Sequence, residues 1–405
     1  MPSARVPSRD FDLVLLGATG FTGGLLAGYF AARAKARPMS WALVGRNQDK
    51  LEQASREHGG VPVIRADALD PVAMADVARR ARVVCTTAGP YAKYGKEVVA
   101  ACAAAGTHYC DLTGEVSFMR AMIDAHHERA KQTGARIVHT CGFDSIPSDL
   151  GTWAAQQEFI RRFGRPASHV TALFGETRGG VSGGTIASAL GIAEASEHDR
   201  ELRRLLANPY GLDPDPNASR PPAPDVHSIT WNADLGMFVA PFVMAATNSR
   251  VVRRAHALAG FPWGEDFVYT EAMSAPGNAG GLVRAVATTA GLGAFAFALK
   301  RPMLRAQVAK RAPQPGEGPS AHTREHGHWK ARFIAVHGND KLVYVAADPH
   351  GDPGYASTTK MLGESALCLA FDELSSPGGV TTPSVAMGGA LLERLIAAGL
   401  QFHPA

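Results

Sequence analysis

The stretch from Phe11 to Gly23 constrains the fold of this chain more than any other. A short apolar run ends at Gly17, glycines recur at Gly20 and Gly23, and a helical apolar pattern follows at once. A strand, a glycine turn and a helix in this order direct the helix N-terminus at a phosphate. Gly17 would allow the tight turn, Gly20 a close approach of the backbone to a pyrophosphate, and Gly23 close packing of helix on strand.

The spacing of these glycines is weak support when it is taken alone. It is G-x-x-G-x-x-G instead of the standard G-x-G-x-x-G, and the chain contains 43 glycines. A turn between strand and helix that binds nothing is therefore the alternative. If the turn binds a dinucleotide, we expect its contacts to come from Gly17, Ala18, Thr19, Gly20, Phe21, Thr22 and Gly23.

Strand and helix signals alternate from Phe11 to Gly142. Short apolar runs end in glycine or polar residues, and helical patterns separate them. This alternation is typical of an α/β fold with a parallel, doubly wound sheet, whose ligands bind at the C-terminal ends of the strands. We expect its strands at residues 13–16, 41–44, 61–64, 82–87, 109–112 and 136–140.

The regular alternation of strand and helix signals ends after Asp144. The chain has 405 residues, which is enough for two or three domains. Residues 207–226 are rich in Pro, Asn and Asp, which predicts a long surface loop. The tail after Thr358 is predicted to be helical. Further strands are expected at residues 169–175, 226–231, 267–271, 329–336 and 341–346.

Charge and cysteine content exclude several classes of protein. The net charge is only +4 and no run of five like charges occurs, so nucleic-acid binding is not predicted. The five cysteines are scattered without C-x-x-C spacing, which favours a reducing compartment without disulfides or a zinc site. The first ten residues lack the apolar core of a signal peptide. These features together predict a cytoplasmic protein.

Arg46 is the most informative single residue. It follows strand two, where dinucleotide-binding folds contact the adenosine ribose. An Asp or Glu there binds the 2′-hydroxyl of NAD, whereas an arginine favours the extra phosphate of NADP. We therefore predict that Arg46, Asn47 and Lys50 bind NADP(H), with Asp67 at the end of strand three. An ordinary surface arginine is the alternative.

Small and polar residues follow the later strands. Ala88, Gly89 and Pro90 come after strand four, where a turn of small residues can pack under the nicotinamide ribose. Asp144 and Ser145 come after strand six and would face the same cleft. Each of these residues also fits a role as a helix cap or a turn former. Their shared location at C-terminal strand ends favours a site.

Two other chemistries are disfavoured. Short-chain reductases use a tyrosine with a lysine four residues later, and none of the eight tyrosines here has that neighbour. His322, His326 and His328 lie close together, but in a polar segment without cysteine. We expect solvated histidines there and no metal site.

Residues 285–299 carry no charge and are bounded by Arg284 and Lys300. The segment is shorter than the roughly 20 residues that span a bilayer. The favoured prediction is a buried helix. The alternative is a wall for a lipid chain or a contact with a membrane surface.

Several stretches together carry a family resemblance. They are Gly17–Gly23, Trp41–Arg46, Ala88–Tyr91, Tyr109–Glu115, Gly142–Asp149, Ser182–Thr185, Pro315–Ser320 and Asp352–Tyr355. In this order they resemble the saccharopine dehydrogenase-like oxidoreductases, a group that includes trans-acting enoyl reductases of glycolipid biosynthesis. The resemblance covers nearly the whole chain.

The resemblance implies an NADP-binding Rossmann domain, with a doubly wound parallel sheet, at residues 10–150. It further implies an inserted α/β domain with a mixed sheet at 151–357, which carries substrate and often a dimer contact. C-terminal helices at 358–405 would return to the Rossmann domain. A homodimer is accordingly among the expected interactions, and the apolar segment 285–299 adds a peripheral lipid or membrane contact to them.

In the enoyl reductase members the reaction reduces a carbon–carbon double bond of a lipid or polyketide-type acyl chain. A donor must then polarise the conjugated carbonyl, and an acid must protonate the carbanion. The candidates are Tyr91, Tyr94, Asp144 and Ser145. The alternatives are an NADP-dependent dehydrogenase of a small amino or imino acid and a non-catalytic, lipid-associated NADP-binding protein. A dicarboxylate substrate would need a pair of arginines, for which Arg178, Arg250, Arg253 and Arg254 are available without a clear pattern.

Overall fold

Two seven-stranded sheets organise the chain in a computed structural model that describes residues 9–179, 183–223, 225–233, 235–311 and 318–405. Ser182 and the side chains of residues 183–185 lie outside the described part, as do residues 315–317 of another motif quoted above. The first sheet comes mainly from the N-terminal third of the chain and the second from the middle. The C-terminal residues add one strand to each sheet.

The first sheet is entirely parallel, with the strand order β13-β6-β5-β4-β1-β2-β3. Its strands are β1 (Phe11–Leu16), β2 (Trp41–Gly45), β3 (Val63–Arg65), β4 (Ala81–Thr86), β5 (His108–Cys110), β6 (Arg136–Val138) and β13 (Gly379–Thr381). The helices between them are α1 (Phe21–Ala36), α2 (Gln48–Glu57), α3 (Pro71–Arg80), α4 (Tyr91–Tyr94), α5 (Lys96–Ala105) and α6 (Val116–Thr133). The strand order reverses between β1 and β4, and this switch point is where a doubly wound sheet binds its ligand.

The second sheet is mixed, with the order β14-β12-β11-β7-β10-β9-β8. Its strands are β7 (His169–Phe174), β8 (Thr230–Asn232), β9 (Met237–Ala240), β10 (Val268–Pro276), β11 (Trp329–His337), β12 (Asp340–Asp348) and β14 (Gln401–Pro404). Only the β7–β10 pair is parallel in this sheet. The helices that accompany it are α7 (Ile146–Phe163), α8 (Gly183–His198), α9 (Arg200–Ala207), α10 (Ala245–Leu258), α11 (Ala279–Leu299), α12 (Pro302–Arg311) and α13 (Ala321–Glu325).

The predicted fold class is confirmed, because local signals in this sequence agree with the sheet topology. The strand β1 is buried from Leu13 to Leu16, as its apolar run requires. Asp70 caps α3 by accepting hydrogen bonds from the Val72 and Ala73 backbone N–H groups. The helix α6 ends at Gly134, whose left-handed conformation is the usual way in which a glycine terminates a helix.

The tail contains more than the helices that the sequence predicts. It forms a π-helical turn (Pro353–Ser357), α14 (Thr358–Phe371) and α15 (Pro383–Ala397), but also β13 and β14. The strand β13 pairs with β6 of the first sheet, and β14 pairs with β12 of the second. Each is very short and is stabilised by a distant partner, so neither has a local signal. The domain boundaries at residues 150 and 357 stay predictions.

Both faces of the first sheet are buried, as expected for parallel strands. One face, including Leu13, Leu15 and Leu43, belongs to a core that continues through α7 into the second sheet. The opposite face, including Val14 and Val44, packs against α3, α5 and α6. All five cysteines are buried, where each acts as a small apolar side chain.

Two predictions about the middle of the chain are corrected. The apolar segment 285–299 lies in α11, which is exposed: only Gly281 and Ala285 of this helix are buried. The interpretation as a buried helix is therefore wrong. The predicted surface loop at 207–226 is in part an interior segment, since Leu212, Asp213 and Ala223 are buried. Arginines from α10 donate hydrogen bonds to its carbonyl groups, which explains how so polar a stretch can be enclosed.

Candidate functional site

The glycine turn between β1 and α1 is shaped by contacts that leave no room for side chains. Gly17 has φ +91° and donates its N–H to the Val44 carbonyl at 3.2 Å. A Cβ atom on Gly17 would lie 2.9 Å from Thr87 Oγ1, and one on Gly23 would lie 2.1 Å from the Gly17 carbonyl oxygen. These two glycines therefore let the turn fold back on β4 and let α1 pack tightly on the turn.

The N-terminus of α1 fits an anionic group. Gly20 caps the helix without a side chain, and the first turn contains no acidic residue. Thr19 and Gly20 are exposed, and the first N–H groups of an α-helix have no partner within the helix. This cradle fits the pyrophosphate of a dinucleotide, which helix N-termini bind through N–H groups and the helix dipole. Ala18 is buried and can contribute its backbone alone.

The Phe21 side chain connects the start of α1 to later parts of the chain. Its ring meets the Tyr355 ring edge-on at 4.9 Å, and the Arg324 guanidinium lies 5.3 Å from its centroid. A Cβ on Gly318 would fall within 2.2 Å of the Phe21 ring. The segment that begins at Gly318 therefore packs on the Phe21 ring at the start of α1.

The predicted ribose-phosphate residues lie at the end of β2. Arg46 and Lys50 are exposed, and their side chains make no ion pair or hydrogen bond with other described residues. Asn47 caps α2, since its Oδ1 accepts a hydrogen bond from Lys50 N at 3.0 Å. Asp67 Oδ1 accepts from Leu69 N at 3.0 Å within its own turn. Two cations without a carboxylate partner thus stand where the 2′-phosphate of NADP is predicted to bind.

Replacing Arg46 by alanine is expected to weaken NADPH binding about 10- to 150-fold and to leave NADH binding unchanged. The reason is the loss of a charge-assisted hydrogen bond, worth about 1.5–3 kcal/mol, to the 2′-phosphate that NADH lacks. Fluorescence titration of native and variant protein with both cofactors measures this. Arg56→Ala, at an exposed position further along α2, is the matched control. Equal affinity of the native protein for the two cofactors would remove the assignment.

The turn after β4 lies against the glycine turn. Thr87 Oγ1 donates to the Gly17 carbonyl at 3.3 Å, and Ala88 N donates to Thr86 Oγ1 at 3.1 Å. The structure thus brings Ala88, Gly89 and Pro90 to the switch point together with Gly17. Gly89 is exposed there, and its neighbours are partly buried.

A buried carboxylate that sequence reasoning left without a role holds the next two strand ends together. Asp111 accepts hydrogen bonds from the Tyr109 hydroxyl at 2.8 Å and from the backbone N–H groups of Thr113 and Thr140 at 3.0 and 3.1 Å. His139 Nδ1 lies 2.7 Å from the same side chain. Asp111 thereby fixes Thr140 in a left-handed conformation with φ +62°. The sequence signal for this role is the position of Asp111 directly after the strand β5.

Glu115 caps the short helix α4, which carries both tyrosine candidates. Its two carboxylate oxygens accept from Tyr91 N and Ala92 N, each at 2.9 Å. Oε1 also accepts from Ser188 Oγ of α8 at 2.8 Å. Glu115 therefore positions α4 and connects it to α8.

The four catalytic candidates have different surroundings. Tyr91 is buried, its hydroxyl donates to the Thr86 carbonyl at 3.2 Å, and burial raises its pKa. Ser145 is buried and donates from Oγ to Asn248 Oδ1 at 3.0 Å. Tyr94 is partly buried, and its hydroxyl has no hydrogen-bond partner among the described residues. Burial, followed by the negative charge of Asp111, raises the pKa of Asp144 to about 7. Tyr94 and Asp144 thus have side chains available for chemistry, whereas Tyr91 and Ser145 are already engaged.

A chain of buried polar groups extends from Ser145 into the second sheet. Asn248 Nδ2 donates to Glu271 Oε1 at 2.7 Å, and the Tyr269 hydroxyl donates to Oε2 at 2.6 Å. Burial raises the pKa of Glu271 to about 7, against the opposing effect of these hydrogen bonds. The network fixes the segment after β6 relative to β10.

We expect the Glu271→Gln variant to lose less stability than the native protein as the pH rises. Glu271 has a folded pKa above its ordinary value, so its stabilising contribution is complete below about pH 4.5 and disappears as the pH passes about 7. The native protein should lose about 2 kcal/mol more unfolding free energy than the variant between about pH 5 and pH 8.5. Urea unfolding at the two pH values measures this, with the exposed Glu265→Gln as control. Parallel stability profiles for native and Glu271→Gln protein would contradict it.

Three of the four arginines considered for a dicarboxylate are committed to the backbone. Arg250 donates to the carbonyls of Leu206 and Asn208, and Arg253 to those of Pro209, Ala223 and Tyr269. Arg254 donates to the carbonyls of Leu212 and Val380. All three are buried, and burial lowers the pKa of each. They stabilise the enclosed loop and are unable to hold a substrate carboxylate as they stand.

The histidine cluster shows no ligand geometry. The His322 and His326 rings stack at 4.1 Å and are exposed. Within the described part of the chain, no group of three His, Cys, Asp or Glu side chains is arranged to hold a metal ion.

Comparison with known proteins gives the family. The saccharopine dehydrogenase NADP binding domain matches residues 13–138. A Mycobacterium tuberculosis (strain ATCC 25618 / H37Rv) protein named "Putative trans-acting enoyl reductase Rv2449c" is 44% identical over 98% of this chain and 97% of its own. The trans-acting enoyl reductase of Mycobacterium ulcerans (strain Agy99) is 39% identical over 97% of both chains. That of Mycobacterium bovis (strain BCG / Pasteur 1173P2) is 38% identical with the same coverage.

A solved structure shows the same fold. Apo histidine-tagged saccharopine dehydrogenase (L-Glu forming) from Saccharomyces cerevisiae superposes with a TM-score of 0.54, covering 97% of this chain and 99% of that chain at 12% identity. The family match confirms the prediction of an NADP(H) cofactor, while the individual site residues stay predictions. Because relatives with 38–44% identity span almost the whole chain, the protein belongs to the saccharopine dehydrogenase-like family of NADP-dependent oxidoreductases that includes the trans-acting enoyl reductases.

Proposed function

We propose that the protein is an NADPH-dependent enoyl reductase that acts on a lipid or polyketide-type acyl substrate in the cytoplasm, in peripheral contact with lipid. The observation that carries the choice of substrate is the commitment of Arg250, Arg253 and Arg254 to backbone carbonyls. An amino-acid dicarboxylate would require a pair of cations. Of the four arginines considered, only Arg178 has an exposed side chain. The names of the full-length relatives support the class of reaction.

The reaction adds a hydride to the β-carbon of the enoyl group and a proton to its α-carbon. The start of α1, which no side chain caps, and Arg46 would hold the phosphates of NADPH, which when bound would supply the hydride. The Tyr94 hydroxyl, which has no partner among the described residues, donates to the conjugated carbonyl oxygen as negative charge develops there. Asp144 gives its proton to the α-carbon and is reprotonated from solvent. A carboxyl with a pKa of about 7 is protonated often enough near neutral pH to act as this acid.

The test is oxidation of NADPH, followed by its absorbance, with a panel of trans-2-enoyl thioesters of increasing acyl length. A parallel panel combines 2-oxo acids with amino acids. We expect turnover with the enoyl thioesters and a saturated acyl product identified by mass spectrometry. Turnover confined to the second panel would establish the amino- or imino-acid dehydrogenase instead. Tight NADPH binding without turnover on either panel would favour the non-catalytic alternative.

Peripheral lipid contact and a homodimer, the two other expected interactions, are proposals as well. Peripheral lipid contact is supported by the exposed apolar helix α11. The homodimer implied by the resemblance stays a prediction, and sedimentation of the full chain measures it.

A further inference from the structure

The helices α11 and α12 form an exposed apolar surface, which we call the apolar ledge (Ala279–Arg311). Val283, Phe297 and Met303 are 68%, 56% and 84% exposed, and Leu282, Val286 and Leu304 are exposed as well. By length and composition α11 could cross a membrane. Only 6% of its most apolar stretch of 18 residues is buried. Helices that are apolar on all sides normally lie in a protein core or in lipid. Nothing in the described chain covers this one.

The ledge is held rigidly on the second sheet. Gly281 packs against Pro276, where a Cβ would lie 1.8 Å from the carbonyl oxygen. Arg284 donates to the carbonyls of Gly175 and Ser274 at 2.9 and 3.3 Å. Arg305 of α12 pairs with Glu197 of α8 at 2.6 Å. These contacts fix the base of α11 and present its remaining length to solvent in a defined position.

The charges of the ledge are all of one sign. Residues 279–311 contain six Arg or Lys and no Asp or Glu. Arg284 and Arg305 are engaged as described. The other four, which are Lys300, Arg301, Lys310 and Arg311, are exposed and make no ion pair with described residues. Arg301 lies over the Phe297 ring at 5.2 Å, so cation and apolar ring are displayed together. Such a pairing of apolar helix and basic rim complements an anionic lipid surface.

We propose that the apolar ledge docks the protein on an anionic bilayer, with α11 lying in the interface and the basic residues among the headgroups. The uncharged part of α11, residues 285–299, has a length of about 22 Å. The complete helix is long enough to cross, but this part is shorter than the hydrocarbon core of about 30 Å. Because Gly281 and Arg284 hold the base of α11 on the second sheet, the helix inserts along the surface without crossing. A second copy of the chain would cover one face of α11 only. It would also bring six more cations and no carboxylate from its own ledge. An anionic bilayer accommodates both features, because acyl chains cover the apolar helix and anionic headgroups pair with the basic residues.

Docking here would place the bilayer next to the cleft. The helix α8 contacts α11 and α12, and its Ser188 reaches Glu115 beside the tyrosine candidates. A lipid-borne acyl chain would then be presented close to the site. Membrane docking therefore has a role in catalysis only if the proposed enoyl reductase function is correct, and to that extent it rests on the proposed function. Vesicle binding is measured without turnover, so its failure and the failure of the reductase assignment are separate results.

Vesicle flotation of the full-length protein tests the proposal. We expect the protein to float with vesicles of phosphatidylcholine and phosphatidylglycerol, and to float poorly with phosphatidylcholine alone or in high salt. The double variant Lys300→Glu/Arg301→Glu should lower the partition coefficient about 25-fold or more, since each basic residue near the surface contributes about fivefold. Phe297→Ser/Met303→Ser should lower it about tenfold.

Matched controls change the same residue types elsewhere on the surface. Lys35→Glu/Arg56→Glu and Val72→Ser alter exposed residues of α1, α2 and α3 and should leave partitioning unchanged. NADPH titration shows that each variant is folded. Absence of flotation with anionic vesicles, or equal loss in the control variants, would overturn the proposal. A dimer in solution that Phe297→Ser/Met303→Ser dissociates would also overturn it, because a second copy would then cover the ledge.

Discussion

The Asp144→Asn variant is expected to reduce kcat for an enoyl thioester about 100- to 10,000-fold, with NADPH affinity nearly unchanged. This range is the usual contribution of a positioned general acid. Asn at this position keeps the size and polarity of the side chain but has no transferable proton. The effect should appear in kcat, because protonation of the α-carbon occurs in the chemical step and is absent from cofactor binding.

The pH dependence of the native enzyme should report the same group. Burial and the charge of Asp111 raise the pKa of Asp144 to about 7, so the acid is protonated below that pH and loses its proton above it. The native rate should therefore fall as the pH rises through about 7, and the residual rate of Asp144→Asn should lack this limb. A raised folded pKa also means that the stabilising contribution of protonated Asp144 is complete below its ordinary pKa of 3.8 and is lost as the pH rises through about 7. The variant should consequently be at least as stable as native protein at pH 8.

A second buried carboxyl provides the control. Burial raises the pKa of Asp149 to about 6, but its oxygens accept from Ser384 N and Oγ, each at 2.7 Å, within the contact between α7 and α15. Asp149→Asn should lower stability and leave the pH limb near 7 in place. Stopped assays across pH 5–9 with both variants distinguish the two residues. A rate for Asp144→Asn within threefold of native, or a limb that persists in it, would move the assignment to Tyr94, for which Tyr94→Phe is the next variant.

Prediction from the sequence succeeded where a residue's neighbours in the chain determine its structure. The strands β1 to β6 lie at or next to the predicted apolar runs, and the turns that follow them contain the predicted glycines and polar residues. It failed where a partner is remote. The strand β13 has three residues and exists because it pairs with β6, some 240 residues earlier in the chain.

The side chains around the cleft illustrate the same limit. The sequence places Tyr91 and Ser145 at strand ends, but it gives no sign that Thr86 and Asn248 occupy their hydroxyl groups. Likewise, an apolar composition does not show what covers a helix, so α11 was predicted to be buried. The capping role of Glu115 depends on two loops meeting in space. Such contacts follow from the assembled fold and have no local pattern.

The Gly23→Ala variant is expected to lose NADPH binding by at least about 100-fold and to unfold with a free energy lower by about 3 kcal/mol. The added Cβ would lie 2.1 Å from the Gly17 carbonyl oxygen, 2.8 Å from Gly17 C and 2.9 Å from Ala18 Cα. All three are backbone atoms, so no side chain can turn aside to make room. Either α1 moves away from β1 or the glycine turn opens. Both displace the N–H groups predicted to hold the pyrophosphate, and overpacking of a buried contact costs about 1–3 kcal/mol or more.

The same substitution five residues further along α1 should have the opposite sign. A Cβ on Gly28 would meet only His58 Cε1 at 3.7 Å, an ordinary contact, and alanine is favoured over glycine in a helix by up to about 1 kcal/mol. Gly28→Ala should therefore bind NADPH like the native protein and melt at the same or a higher temperature. Thermal unfolding and NADPH titration of both variants make the comparison. Native affinity and stability in Gly23→Ala would show that α1 is not packed on the turn, and the phosphate site derived from that packing would have to be abandoned.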